Sequence, residues 1–119
     1  KDRSEEEVLS ELLEKHQDLA GIICTDLQTT EMVIDYAKKQ SEITYKIVGF
    51  DTSEKIVGEI GKLLVGTVSQ EPYDIGYAAV VAAARSISDM GNAARANTNH
   101  IWSDAENLAS KEVQGVLYE

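Results

Sequence analysis

Val8, Leu9, Leu12 and Leu13 recur at the three- and four-residue spacing of one helix face, which argues for a helix over residues 4–16. Ser4 and Glu7 stand ahead of that stripe as a capping box, hydroxyl and carboxylate each reaching a backbone N–H. A short apolar run follows at Ala20–Thr25, the pattern of a strand covered on both faces. Helical spacing returns with Met32, Val33, Tyr36 and Ala37, predicting a helix over residues 28–40. Tyr45–Phe50 and Val65–Ser69 read as two further strands. Between them lies a helix with Ile56, Val57 and Ile60 inward, ending near Gly61. Glu71-Pro72 opens the next helix, since proline is well tolerated in a first helical turn, and Met90-Gly91-Asn92 reads as its stop. Residues 91–99 are loop-like. His100–Trp102 reads as a short strand, and Ser103 with Glu106 as a second capping box. That box opens a final helix turning Leu108, Val113, Val116 and Leu117 inward.

Strands alternating with helices predict an α/β fold: a parallel sheet with right-handed crossovers and helices on both faces. One helix is unusual. Ile75, Ala78, Ala79, Val80, Val81, Ala82, Ala83, Ala84 and Ile87 leave residues 73–88 with little polar face. A helix apolar over most of its circumference needs cover on more than one side.

Each of the three firm strands runs into a polar residue: Asp26, Asp51 and Gln70, 25 and 19 positions apart. Strand C-termini of a parallel sheet share one rim, where such sheets bind small ligands. Two carboxylates and one amide in one crevice point to a polyhydroxyl molecule held by hydrogen bonds. An aspartate in such a place also reads as a helix cap, and spacing alone favours that role for Asp51.

Eleven basic against 21 acidic residues give a net charge of −10, which excludes a nucleic-acid or anionic-membrane surface. A hydrophobic content of 43% excludes general disorder. Cys24 is the single cysteine and sits in an apolar run, so it reads as a buried structural thiol. His16 and His100 belong to no cluster with metal-ligand spacing, so neither a metal nor a cofactor is expected. No nucleophile stands beside an orienting partner, which argues against an enzyme. Trp102, Tyr73 and Tyr77 read as packing residues, with a stacking platform for a sugar as the lesser reading of Trp102. Lys1 to Glu7 lack the apolar core of a signal peptide, and the chain is expected to be a piece of a longer protein.

Ile47-Val48-Gly49-Phe50-Asp51, then Gly66-Thr67-Val68-Ser69-Gln70-Glu71-Pro72-Tyr73-Asp74-Ile75-Gly76, resembles the ribose/galactose-type periplasmic sugar-binding proteins. Their fold is shared with the effector domains of lactose-repressor-like regulators. Leu12 to Ile23 is similar to that family's helix-then-strand unit. The resemblance implies two α/β lobes with a ligand clamped between them, of which this chain matches the later half. It places residues 1–70 in the second lobe, 71–97 in the crossing segment and a helix of the first lobe, and 98–119 back in the second. It also implies that Asp51 accepts from sugar hydroxyls and that Gln70 donates from the hinge side. Asp26 falls where many members carry Asn, usually followed by Asp, and Leu27 breaks that pattern.

The implied function is non-enzymatic binding of a small sugar or similar polar metabolite, closed by lobe movement and read by a membrane transporter or sensor. Its location would be extracytoplasmic, periplasmic or anchored at the cell surface. The alternative is the effector-sensing domain of a cytoplasmic repressor. The tail Ser103 to Leu108, then Val113-Gln114, is more similar to extracytoplasmic solute-binding members. With much of its cover absent, the chain alone is expected to bind sugars weakly or not at all. It is expected to form a homodimer through residues 73–88, since so large an apolar face rarely stays wet.

Overall fold

The computed structural model describes residues 3–88 and 97–117. Lys1, Asp2, the stop at Met90-Gly91-Asn92 and most of the loop-like 91–99 segment lie outside the described residues. In chain order the elements are α1 (Glu5–Lys15), β1 (Gly21–Ile23), α2 (Leu27–Lys39), β2 (Lys46–Phe50) and α3 (Glu54–Glu59). They continue as β3 (Leu64–Gln70), α4 (Pro72–Ile87), β4 (His100–Asp104) and α5 (Lys111–Gln114). The fold is α/β, as the alternation predicts.

One four-stranded sheet runs β1-β2-β3-β4, with β1, β2 and β3 mutually parallel. The last strand departs from the all-parallel expectation: β4 lies antiparallel to β3, pairing Gly66 with Asp104 through to Gln70 with His100. Five residues with two-residue alternation fix which face each side chain takes, but not the direction in which the strand runs.

The second capping box is also corrected. Ser103 is fully buried inside β4 opposite Thr67, so the ladder holds it in the sheet. Asp104 takes over the turn, its Oδ1 accepting from the backbone of Glu106 at 2.9 Å and Asn107 at 3.1 Å. The final helix starts later, at the Ser110 cap, and keeps Val113 and Val116 buried. The first capping box forms as read, Ser4 and Glu7 each bonding the other's backbone N–H.

Each step from β1 to β3 moves one strand over, and right-handed crossovers of that kind put α2 and α3 on the same face. Leu9 and Leu13 from α1, Val33, Ile34 and Ala37 from α2, and Ile56 from α3 meet Cys24, Ile47 and Leu64 in one core. Gly49 makes the closest seat there, since a Cβ on it would lie 2.9 Å from the Thr30 methyl. Of the two faces expected to carry helices, this one does. On the other stand Ile23, Val48, Phe50, Val68 and Trp102, set by the pairing register, with Ile23 77% exposed. Helix α4 buries none of its side chains, and Tyr73 and Tyr77, read as packing residues, are 82% and 66% exposed.

Candidate functional site

The C-terminal ends of β1, β2 and β3 form one rim, and Asp26, Asp51 and Gln70 all stand on it. Adjacent parallel strands lie about 4.8 Å apart, so the rim spans roughly 10 Å from Asp26 to Gln70.

Asp26 is the N-cap of α2. Its carboxylate accepts from the Thr29 amide at 2.8 Å. That amide first, and the Thr29 hydroxyl second, hold the carboxyl below the usual aspartate range. The cap reading of Asp26 is what the geometry shows, with the carboxylate ionised and anchored. The sign of the pH effect follows from the lowered value. Asp26 contributes stability above its unfolded pKa and loses it as pH falls through the lower folded one. Asp26→Asn keeps a good cap. Its urea midpoint should therefore fall less than that of the parent as pH drops below about 4; parallel pH profiles would remove this account.

Asp51 has a φ of +70°, alone among non-glycine residues of the described chain in being left-handed. Backbone bonds pin it: its N–H donates to the Val68 carbonyl at 2.8 Å, and its carbonyl accepts from the Thr67 hydroxyl at 2.8 Å. Its carboxylate has no hydrogen-bond partner among the described residues. The cap of α3 is not Asp51 but Ser53, whose hydroxyl accepts from Ile56 and donates to Glu31 at 2.6 Å. Lys55 adds ion pairs to Asp35 and Glu31, tying the turn after β2 to α2.

Gln70 ends β3 opposite His100, exposed, one residue before the link to α4. The chain leaves the sheet here through Glu71. The Asp74 carboxyl beside it, its hydrogen-bond partner, raises the pKa of Glu71.

Thr30 was not anticipated. Fully buried, its hydroxyl accepts from Phe50 N–H at 3.0 Å and donates to the Asp26 carbonyl at 2.7 Å. One side chain thus ties the turn at Asp26 to the strand end at Asp51. A second threonine directly after Thr29, inside a helix start, is the only trace of it in the sequence.

Other candidates fall outside the rim. Cys24 is buried beside Thr30, and burial raises its thiol pKa, so it stays protonated. Trp102 packs its six-membered ring against Gly66 and donates to Asp104 at 2.8 Å, which makes it an anchor for β4. Among the described residues no group of three His, Cys, Asp or Glu side chains could hold a metal ion. A cavity of about 530 Å³ between α1 and α2 borders Asp26, and it is lined by neither Asp51 nor Gln70.

Compared with solved structures, this architecture is similar to a solute-binding protein of an ABC transporter from Agrobacterium vitis, bound with alpha-D-tagatopyranose. The TM-score is 0.82 at 22% identity over 96% of this chain and 39% of that one. The chain has part of a type I periplasmic-binding-protein fold. A second such protein from Agrobacterium vitis, with bound D-fucose, matches with a TM-score of 0.76 at 22% identity over 95% of this chain and 40% of that one. GanP, a glucose-galactose binding protein from Geobacillus stearothermophilus, matches at 26% identity and a TM-score of 0.76, over 87% of this chain and 38% of its own. The chain therefore spans about two fifths of the length of these structures. No protein-family model and no curated relative matches the sequence.

Proposed function

We propose that this chain supplies one wall of a cleft that binds a small sugar or similar polar metabolite without chemical turnover, for uptake or sensing. Asp51 carries the reading. A left-handed aspartate costs backbone energy, and such strain persists where the side chain is put to use. Its unpartnered carboxylate stands mid-rim between Asp26 and Gln70. Ionised carboxylates only accept, whereas an amide both donates and accepts, and sugar hydroxyls need both. The sugars held by the similar proteins support this ligand class.

In this reading residues 1–70 form most of the second lobe, Gln70 marks the hinge side, and 71–97 reach into a first lobe that supplies the opposite wall. Ligand bridging the lobes would shift an open–closed equilibrium read by a membrane transporter or sensor outside the cytoplasm. No described helix is long and apolar enough to cross a membrane. The effector-domain alternative draws on one further match, at a TM-score of 0.70, to an "ABC transporter, LacI family transcriptional regulator" from Brachyspira murdochii. An upstream helix-turn-helix would favour that alternative, and an upstream signal segment the solute-binding reading.

With one wall present, binding should be weak. Titration with D-fucose or D-tagatose at millimolar concentration should shift the backbone amide signals of Asp26, Asp51 and Gln70 in NMR spectra. Asp51→Gly should abolish those shifts while stabilising the fold by about 1 kcal/mol, because glycine adopts positive φ freely. The deciding titration is the same one on the two-lobed protein: a rim silent to every sugar there would sink the reading.

A further inference from the structure

At the end of the sheet opposite the rim, α1, α2 and the segments that follow them enclose a second cavity, of about 260 Å³. We propose that it binds a small organic ammonium ion, held by the rings of Tyr36 and Tyr45 and by the carboxylates of Glu14 and Glu42.

Its walls are complete within this chain. Every lining residue falls between Leu13 and Tyr45, on the last turns of α1 and α2 and on the segments leading into β1 and β2. Strand N-termini lie here, whereas Asp26, Asp51 and Gln70 stand at the C-terminal ends. An opposite wall across the rim therefore leaves this cavity as it is, and the proposal is independent of the sugar reading.

Charge selects a cation. Both helices end at the cavity, and a helix C-terminus carries a partial negative charge. Glu14 and Glu42 add two carboxylates, and His16 is the one basic side chain in the lining. The lysines of the last helical turns pair with acids elsewhere: Lys15 with Glu11 at 2.5 Å, Lys38 with Glu59 at 2.7 Å, and Lys39 with Glu6. Lys46 alternates with the buried Ile47 and so takes the other face of the sheet.

The aromatic wall selects an organic ion. Ring faces attract ammonium groups within about 6 Å, and Tyr36 and Tyr45 supply two rings to one small cavity. The Tyr45 hydroxyl is closed off from water and has no hydrogen-bond partner. Burial first, and the Tyr36 phenol second, raise its pKa, so it stays neutral. A ligand N–H or O–H at this wall would supply the partner that a buried oxygen ordinarily has. At roughly 30 Å³ for each water-sized group, the cavity takes about eight or nine non-hydrogen atoms, which suits an ion the size of choline.

Choline is the probe, titrated into the full chain and followed through backbone amide signals in NMR spectra. The control is its uncharged carbon isostere, in which a tert-butyl group replaces the trimethylammonium. Choline at millimolar concentration should shift the amides of Gln17, Glu42 and Tyr45 to saturation while Asp51 and Gln70 stay still. The isostere should bind at least roughly tenfold more weakly. Glu14→Gln with Glu42→Gln changes two exposed residues, so circular dichroism should be unaltered while choline affinity falls roughly fivefold. Tyr36→Leu should cost roughly tenfold, and Tyr36→Phe, which keeps the ring, should restore most of it. Silence to choline, an isostere that binds equally, sodium chloride alone moving the same amides as far, or Tyr36→Phe failing as Tyr36→Leu does would each overturn the proposal.

Discussion

Gly66→Ala should detach β4 and lower stability by about 3 kcal/mol, the upper range for an overpacked interior. A Cβ built on Gly66 lies 2.4 Å from Trp102 Cζ2 and 2.6 Å from the Ser103 carbonyl oxygen. The indole can swing aside, but the carbonyl belongs to the β3–β4 ladder and cannot move without breaking it. Loss of that seat should redshift Trp102 emission and bring the urea midpoint down together. Gly58→Ala is the matched control: nothing lies within 4 Å of its added Cβ, and it sits inside α3. Alanine there should raise stability by about 0.5–1 kcal/mol. Equal midpoints for the two variants would mean that Trp102 does not rest on Gly66.

Thr30→Val should cost about 2 kcal/mol, because it leaves the buried Phe50 N–H without an acceptor while keeping the side-chain shape. The methyl that packs against Gly49 is retained, so the loss isolates the hydroxyl. Its second effect falls on the rim. With the Asp26 carbonyl and the Phe50 amide no longer joined through one oxygen, Asp26 and Asp51 lose their common reference. Hydrogen exchange at Phe50 should accelerate well beyond the global change, and any sugar-induced shift at Asp26 and Asp51 should shrink together. A uniform change across the chain would show that Thr30 supports the fold without positioning the rim.

The strand ends were legible because they depend on local pattern: apolar runs bounded by a polar residue and then helical spacing. Ile56, Val33 and Ala37 went inward as their periodicity indicates, whereas Val8 and Leu12 of the α1 stripe stayed half-exposed. The rest depends on groups far apart in sequence. Ser4 capped its helix because nothing competed for it. Ser103 offered the same local signal and was overruled by pairing with a strand more than thirty residues away. The direction of β4 has no local signature either. At the site, the positions of Asp26, Asp51 and Gln70 were readable, but the left-handed turn at Asp51 was not, since nothing in Gly-Phe-Asp-Thr demands it. Thr30 stayed hidden because its two partners come from different elements.

Spatial order in the sheet follows chain order. Each of the first two pairings joins neighbours in sequence, so α1 through β3 can condense on the ribosome before residue 72 leaves the exit tunnel. The fourth strand must wait for the whole of α4 and the segment after it to emerge. Until then the growing chain carries β3 as a raw edge, which makes that interval the time of greatest exposure to misassembly.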